Sequence, residues 1–502
     1  MLNIVQQARK HRHRTAIVSN RHSYSFQDLL DASAHFAHIL LEGKTDLAEM
    51  RIAFMVSPGF DYVRVQWGIW QAGGIIVPLC LTYPLPSLRY TIENSDATIL
   101  VVSREYADLL KPLAIEKGLR FIVLGVDDLD KKASDTEGCI LPNIDETRRA
   151  MILYTSGTTN LPKGVVTTHR SLNAQISSLI EAWEWSENDY TICILPLHHV
   201  HGIVNIVSCA LWAGACCDFL PSFSAKDLFD KFKEGNINVF MAVPTIYFKL
   251  ITHWENLPND EQKELGKVMA AFRFMVSGSA ALPVSVMEKW GKISQHTLLE
   301  RYGMTEIGMG LSNPYRGKRY AGHVGYPLPS VQIRLADEQD NEIASTETGE
   351  IQVKGATVFN EYWRKPEATA ESFTKDGWFK TGDVATVDTE GGYRILGRNS
   401  VDIIKSGGYK ISALEIEEVL RTHPSVSDCS VVGIDDEEWG ELVVAAIVPK
   451  QEDIDIQELN AWMRTQMPPY KTPKRYKLIV ELPRNAMGKV TKNDVKKMMK
   501  YE

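Results

Sequence analysis

A chain of 502 residues is too long for one ordinary hydrophobic core, so two or more domains are expected. Apolar residues make up 44% and charged residues 24%, the balance of a globular protein rather than a disordered one. The formal net charge of −8 argues against non-specific nucleic-acid binding, which needs an excess of Lys and Arg, but leaves room for an anionic substrate in a locally basic site.

Taken in chain order, residues 1–5 are followed by His, Lys and Arg without a long apolar stretch, so no secretory signal is expected. No run approaches the length of a membrane span. From about residue 15 to 330, short apolar runs alternate with helical patterns; 51–56, 74–78, 97–102, 121–124, 238–243 and 272–276 are examples. Near-continuous Val/Ile runs predict strands buried on both faces, hence largely parallel sheets flanked by helices. Residues 331–335 and 349–354 alternate apolar and polar, which predicts a small antiparallel β subdomain at about 330–397. Residues 396–402 read as a junction. A compact α+β pattern follows, with helices at 412–421 and 456–466 and strands at 430–433 and 442–448. The Lys-rich stretch 492–500 reads as a solvated helix face. The seven cysteines include the pair Cys216-Cys217 but no CxxC and no zinc spacing, which predicts reduced, buried thiols in a cytoplasmic protein.

Four motifs carry chemistry. In Tyr154-Thr-Ser-Gly-Thr-Thr-Asn-Leu-Pro-Lys-Gly164, hydroxyls, glycines and a lysine follow the apolar run 150–153. A polar, Gly-rich turn leaving a strand offers backbone N–H groups to phosphate oxygens. A Walker A loop fails on spacing, because Lys163 precedes Gly164. The second motif, Glu300-Arg-Tyr-Gly-Met-Thr-Glu306, is expected in a turn after a strand at 297–299. There Tyr302 can stack on a nucleobase, Thr305 can bond a phosphate oxygen, and Glu306 can hold Mg²⁺. The third is Thr381-Gly-Asp383 with Arg398 downstream, suited to ribose hydroxyls. The fourth, Pro483-Arg-Asn-Ala-Met-Gly-Lys489, places a lysine after a turn. Each alone also fits an ordinary surface turn.

In this order and spacing the four motifs resemble those of the adenylate-forming enzymes, a group of acyl-CoA synthetases, luciferases and peptide-synthetase adenylation domains, over essentially the whole chain. The resemblance implies an α/β fold. A large N-terminal domain (1–397) would hold two flanked β-sheets and a small β-barrel-like subdomain, followed by a small, mobile α+β C-terminal domain (398–502). It further implies ATP, Mg²⁺ and CoA. Thr155, Ser156, Gly157, Thr158, Thr159 and Lys163 would hold the β- and γ-phosphates, with Thr305 on a phosphate oxygen and Glu306 on the metal. Tyr302, Gly303, Met304, Ser279 and Ala280 would border adenine. Asp383 and Arg398 would hold the ribose, and Lys489 would be the catalytic cation. Rotation of the C-terminal domain would exchange Lys489 for Lys405, Gly407 and Gly408 at the CoA channel. Two positions depart from the family pattern: Asn160 stands where a glycine is usual, and Ser400 falls at the hinge.

Pro196-Leu-His-His-Val-His-Gly202 is similar to a family segment that puts His199 near the acid carboxylate. Together with residues 301–306 and the Ser-Asn-Pro stretch at 312–314, it is similar to malonyl-CoA synthetases and related plant acyl-activating enzymes. Met309 would cap a short pocket. A second substrate carboxylate would need a cation, for which Arg273, Arg301 and a protonated His201 are candidates. The expected activity is an ATP-dependent acid–CoA ligase for a short carboxylic acid, malonate first. A medium-chain or aryl acyl-CoA synthetase, a carrier-protein-loading adenylation enzyme and a non-catalytic paralogue are the alternatives. A monomer and a homodimer both stay open.

Overall fold

The computed structural model describes residues 2–127, 140–155, 161–220, 222–344, 347–450, 454–485 and 488–500. Among these residues the strands form four sheets. In the first, Leu299–Met304, Phe274–Gly278, Val239–Ala242, Tyr190–Cys193, Cys216–Phe219 and Thr15–Ser19 run parallel. Antiparallel strands close its edges: Gly308–Ser312 and Tyr326–Pro327 on one side, His22–Ser25 on the other. In the second, Arg149–Thr155, Ile75–Pro78, Arg51–Met55, Ile99–Val102 and Arg120–Val123 are parallel, with Lys163–Thr168 and Glu361–Tyr362 antiparallel at one edge. Strands such as Val239–Ala242 and Ile99–Val102 are buried at every position, which is why their runs carry no polar alternation.

The third sheet pairs Val331–Ala336, Gly349–Gly355, Phe379–Val387 and Tyr393–Arg398 antiparallel, and it stays open rather than closing into a barrel. The fourth lies in the C-terminal part: Tyr409–Ser412, Ile403–Ser406, Gly440–Pro449, Val426–Asp436 and Arg475–Leu478. It carries the helices Ala413–Thr422, Ile456–Gln466 and Lys492–Lys500.

One helix shows how the sequence ties these layers together. Thr168 caps His169–Trp183 by accepting from the Ser171 N–H. Leu172, Gln175, Ile176, Leu179 and Trp183 then fall on one buried face at helical spacing. Trp183 Nε1 donates to Ser312 Oγ at 3.0 Å and Gln175 Nε2 to the Thr357 carbonyl at 2.9 Å. The Gln175 side chain fills the space a Cβ would need at Gly308, which sits at φ +65°. The helix thereby fixes the turn that follows Leu299–Met304.

Three expectations shift. The segment Glu300 to Met304 is strand rather than turn, because it pairs with Gly308–Ser312; only 305–307 turn. Arg273 falls before its strand, which starts at Phe274. Helix Lys492–Lys500 is not wholly solvated: Lys492 is half-buried between Asp402 and Glu417, at 2.7 and 2.8 Å. The described cysteines Cys80, Cys193, Cys209, Cys216, Cys217 and Cys429 are buried and free of disulfides. No helix among the described residues is long and apolar enough to cross a membrane.

Candidate active site

The candidate residues gather beyond the C-terminal ends of the parallel strands in the first sheet, where α/β sheets place ligands. Thr155 and Lys163, near the two ends of the phosphate motif, are opposed across the antiparallel pair Arg149–Thr155 and Lys163–Thr168. Ser156, Gly157, Thr158, Thr159 and Asn160 lie outside the described residues. Glu306 is buried, and Tyr362 Oη donates to its Oε1 at 2.9 Å. The Lys163 ammonium lies 4.9 Å from the centre of the Tyr362 ring. Burial raises the Glu306 carboxyl, opposed by hydrogen bonds from its own backbone and Tyr362 and by the charges of Arg398 and Lys163. Tyr362 is a residue the sequence reading missed: it sits on a two-residue edge strand, and no spacing ties it to Glu306. A single buried carboxylate suits Mg²⁺ that takes its other ligands from phosphates and water. No cluster of three or more His, Cys, Asp or Glu ligands exists among the described residues.

A second group forms around Asp383. Tyr302 Oη donates to Asp383 Oδ2 at 2.6 Å, and Arg398 Nε lies 3.4 Å from Oδ1. Strands Phe379–Val387 and Tyr393–Arg398 align Asp383 directly opposite Arg398. Lys489 enters this group from the C-terminal part. Gly488, at φ +73°, turns the chain there, and Asn485 Oδ1 accepts from the Lys489 N–H at 3.0 Å. Burial, then the charges of Arg398 and Arg301, pushes the Lys489 ammonium down to about 8, with Asp383 opposing. The charges of Arg398 and Lys163 thus act on Glu306, and those of Arg398 and Lys489 act on Asp383 with Asp402 opposing, while Arg301 has Glu300 beside it.

A third group surrounds Ser279. Arg301 is buried; its Nη2 donates to Ser279 Oγ at 3.2 Å, and its Nε has no partner among the described residues. Ser279 Oγ is also 3.1 Å from His201 Nδ1. The network closes when Ser279 donates to Nδ1, which leaves the His201 proton on Nε2, buried and unpartnered. His199 Nε2 is likewise buried without a partner. Gly278 makes the close approach of Arg301 possible, since a Cβ there would lie 2.6 Å from the guanidinium. Ser279 itself is held at φ +70°, and Ala280 beside it is exposed. His201 opens an eight-residue π-helix, His201–Ser208, a form often found at functional sites.

This geometry corrects two expectations. Arg273 is not in this group: it lies just before the strand Phe274–Gly278 and is held by buried Asp189 through Nε and Nη2, both at 2.8 Å. His201 is not the cation either. Burial, then the charges of Arg301 and Lys489, holds it well below its ordinary value, and His199 is neutral for similar reasons. Arg301 is the cation of this group; burial pushes its guanidinium down to about 9. Gly303 packs against Met309, whose methyl lies 2.5 Å from where a Gly303 Cβ would be. Thr305 stands in the turn before Glu306, and Met304 ends its strand.

Lys405, Gly407 and Gly408 are not brought to Lys489. They belong to the hairpin of Ile403–Ser406 and Tyr409–Ser412, where Lys410 pairs at 2.8 Å with Glu338, in the turn after Val331–Ala336. Gly407 and Gly408 take φ +57° and +81°. Ser400 is exposed. Two residues on, Asp402 Oδ2 accepts from the Arg398 N–H at 3.0 Å while Oδ1 pairs with Lys492. Asp402 thus ties the junction to the last helix, a role no sequence signal marked.

A family model described as AMP-binding enzyme matches residues 4–363, and one described as AMP-binding enzyme C-terminal domain matches 415–489. The mitochondrial malonate–CoA ligase ACSF3 of Bos taurus is 41% identical over 514 residues, covering 96% of this chain and 88% of the relative. The malonate–CoA ligase of Arabidopsis thaliana is 39% identical over 532 residues, covering 97% and 87%. ATP-bound MatB from Rhodopseudomonas palustris superposes with a TM-score of 0.89 at 31% identity, over 100% of this chain and 99% of that one. Apo MatB superposes with a TM-score of 0.81 over the same shares.

Proposed function

This chain belongs to the AMP-binding enzyme family, and on that premise we propose that it is an ATP-dependent, AMP-forming acid–CoA ligase whose acid is malonate. The observation that carries the reading is a buried arginine, Arg301, whose Nε has no partner among the described residues and whose charge acts on neutral His201 and on Lys489. Such a cation is costly unless an anion completes it. A monocarboxylic acid spends its one carboxylate at the reacting end and leaves Arg301 unpaired. A dicarboxylic acid supplies the second.

In the first half-reaction a malonate oxygen attacks the α-phosphorus of ATP. The new O–P bond forms as the bridging P–O bond breaks and pyrophosphate leaves. Lys489 bridges the attacking carboxylate and the α-phosphate, and its charge offsets the negative charge gathering there. Lys163 and Thr155 hold the β- and γ-phosphates, joined by Thr305. Asp383, oriented by Tyr302 and Arg398, accepts from the ribose hydroxyls, and Ser279, Ala280, Gly303 and Met304 border the adenine. Glu306, oriented by Tyr362, would hold Mg²⁺, which shields phosphate charge when bound. Arg301 fixes the distal carboxylate, with the Nε2–H of His201 beside it, and His199 lines the reacting end. In the second half-reaction the CoA sulfur attacks the acyl carbon, AMP leaves with the anhydride oxygen, and the thiol proton passes to solvent. We assign Lys405, Gly407 and Gly408 to that step, after the C-terminal domain turns about the 398–402 junction. Buried, reduced cysteines suit a cytoplasmic setting.

A substrate panel tests the reading. Malonate should release pyrophosphate and yield a CoA thioester with the highest kcat/KM. Preference for octanoate or a cinnamate would retire malonate.

A further inference from the structure

We propose that Glu418 is a positioning residue for the first half-reaction: it caps a helix of the large domain from across the domain boundary and so keeps Lys489 seated. Helix Val284–Ser294 begins after Pro283 without a side-chain cap from its own segment. Its first N–H, that of Val284, donates instead to Glu418 Oε2 at 3.1 Å. Glu418 stands on helix Ala413–Thr422 of the C-terminal domain and is half-buried at this contact. A carboxylate at a helix N-terminus meets both unpaired N–H groups and the positive end of the dipole.

The neighbouring acids are already committed. Glu417 holds Lys492 and the Val431 N–H, whereas the ion pair of Glu418 is with Arg421 at 3.8 Å, with the charges of Arg394 and Glu417 also acting on it. Below the contact, Glu300 Oε1 accepts from the Leu282 N–H at 3.0 Å. Segment 279–284 is therefore held at Leu282 by an acid on the strand that carries Arg301, and at Val284 by an acid from the C-terminal domain. That segment starts with strained Ser279, which accepts from Arg301.

The seat needs such a clamp. Lys489 enters between two arginines, so before phosphate arrives its own charge opposes insertion. The exposed pair Lys410–Glu338 contributes little by comparison. The Glu418 contact offsets that repulsion and should be made only in the orientation that brings Lys489 in.

The consequence for catalysis rests on the ligase reading; the contact itself does not. Two variants remove it from opposite sides: Glu418→Ala deletes the acceptor, and Val284→Pro deletes the donor. Proline is well tolerated as the first residue of a helix, and Pro283 already has extended geometry compatible with a following proline. Spin labels on Lys263→Cys and Lys497→Cys, both on exposed helix faces, would report the distance between the domains. Each variant should broaden a narrow distance distribution. Each should lower malonate-dependent pyrophosphate exchange about tenfold, the worth of one hydrogen bond to a charged group, while thioester formation from supplied malonyl-adenylate and CoA stays unchanged. The double variant should lose no more than either single one. Equal losses in both half-reactions, additive losses, or an unchanged distribution in Val284→Pro would overturn the proposal. A wild-type protein that fails to exchange pyrophosphate would sink the ligase reading, and the distance measurement would still decide the clamp.

Discussion

Lys489 is held where its charge is unfavourable until a substrate arrives. Its ammonium titrates near 8 in the folded protein, because of burial and two arginines, against an ordinary value of 10.5. Between those values the unfolded chain binds more protons than the folded one, so stability rises with pH across that window. Below pH 8 the penalty is present in full, at about 3 kcal/mol from the size of the shift. Lys489→Met should therefore melt higher than the parent at pH 7.5, with the gap shrinking toward pH 10, while pyrophosphate exchange is lost. Thermal unfolding of both proteins across this range checks it; a gap that does not change with pH would contradict the burial assigned to Lys489. Of the residues here, Lys489, Glu306 and Asp383 were legible in the sequence, since each sits in a motif of fixed spacing. Tyr362 and Asp402 were not. Their partners are Glu306 and Lys492, and only tertiary pairing sets those distances.

The antiparallel pair Leu299–Met304 and Gly308–Ser312 organises both halves of the site. Adjacent strand residues point to opposite faces, so Arg301 reaches Ser279 while Tyr302 reaches Asp383. Gly303 lies opposite Met309 in the register, and the missing Cβ makes room for the methionine methyl. If Met309 closes the acyl pocket, Met309→Gly should raise the kcat/KM of succinate relative to malonate about tenfold, the value of one methylene in a shaped pocket. An unchanged ratio in competition assays would place the pocket wall elsewhere. The existence of these elements was readable from apolar runs, but their ends were less so. The reading stopped the strand at 299, since Glu-Arg-Tyr-Gly carries polar groups that favour a turn; pairing with a buried partner strand overrode that preference. The same local blindness made Arg273 a candidate, because nothing in its neighbours announces that Asp189 holds it from 84 residues away.

At the scale of the whole molecule, the apolar runs foretold largely parallel sheets, the family resemblance set their number at two, and the change of texture near 330 foretold the antiparallel subdomain, which stays open rather than barrel-like. The placement of the C-terminal domain was not legible, since it depends on contacts such as that of Glu418 with Val284. That placement brings Lys489 beside Arg398, Arg301 and Asp383. The central claim is that Arg301 answers the second carboxylate of the substrate. Arg301→Leu tests it most directly, because an apolar side chain replaces a buried, incompletely paired charge at little cost to folding. The measurement is kcat/KM for malonate and for propionate, which has the same carbon count but one carboxylate. The account predicts that malonate falls by about a thousandfold, roughly 4 kcal/mol, while propionate holds or improves. Equal losses for the two acids, or malonate turnover that survives the substitution, would contradict it.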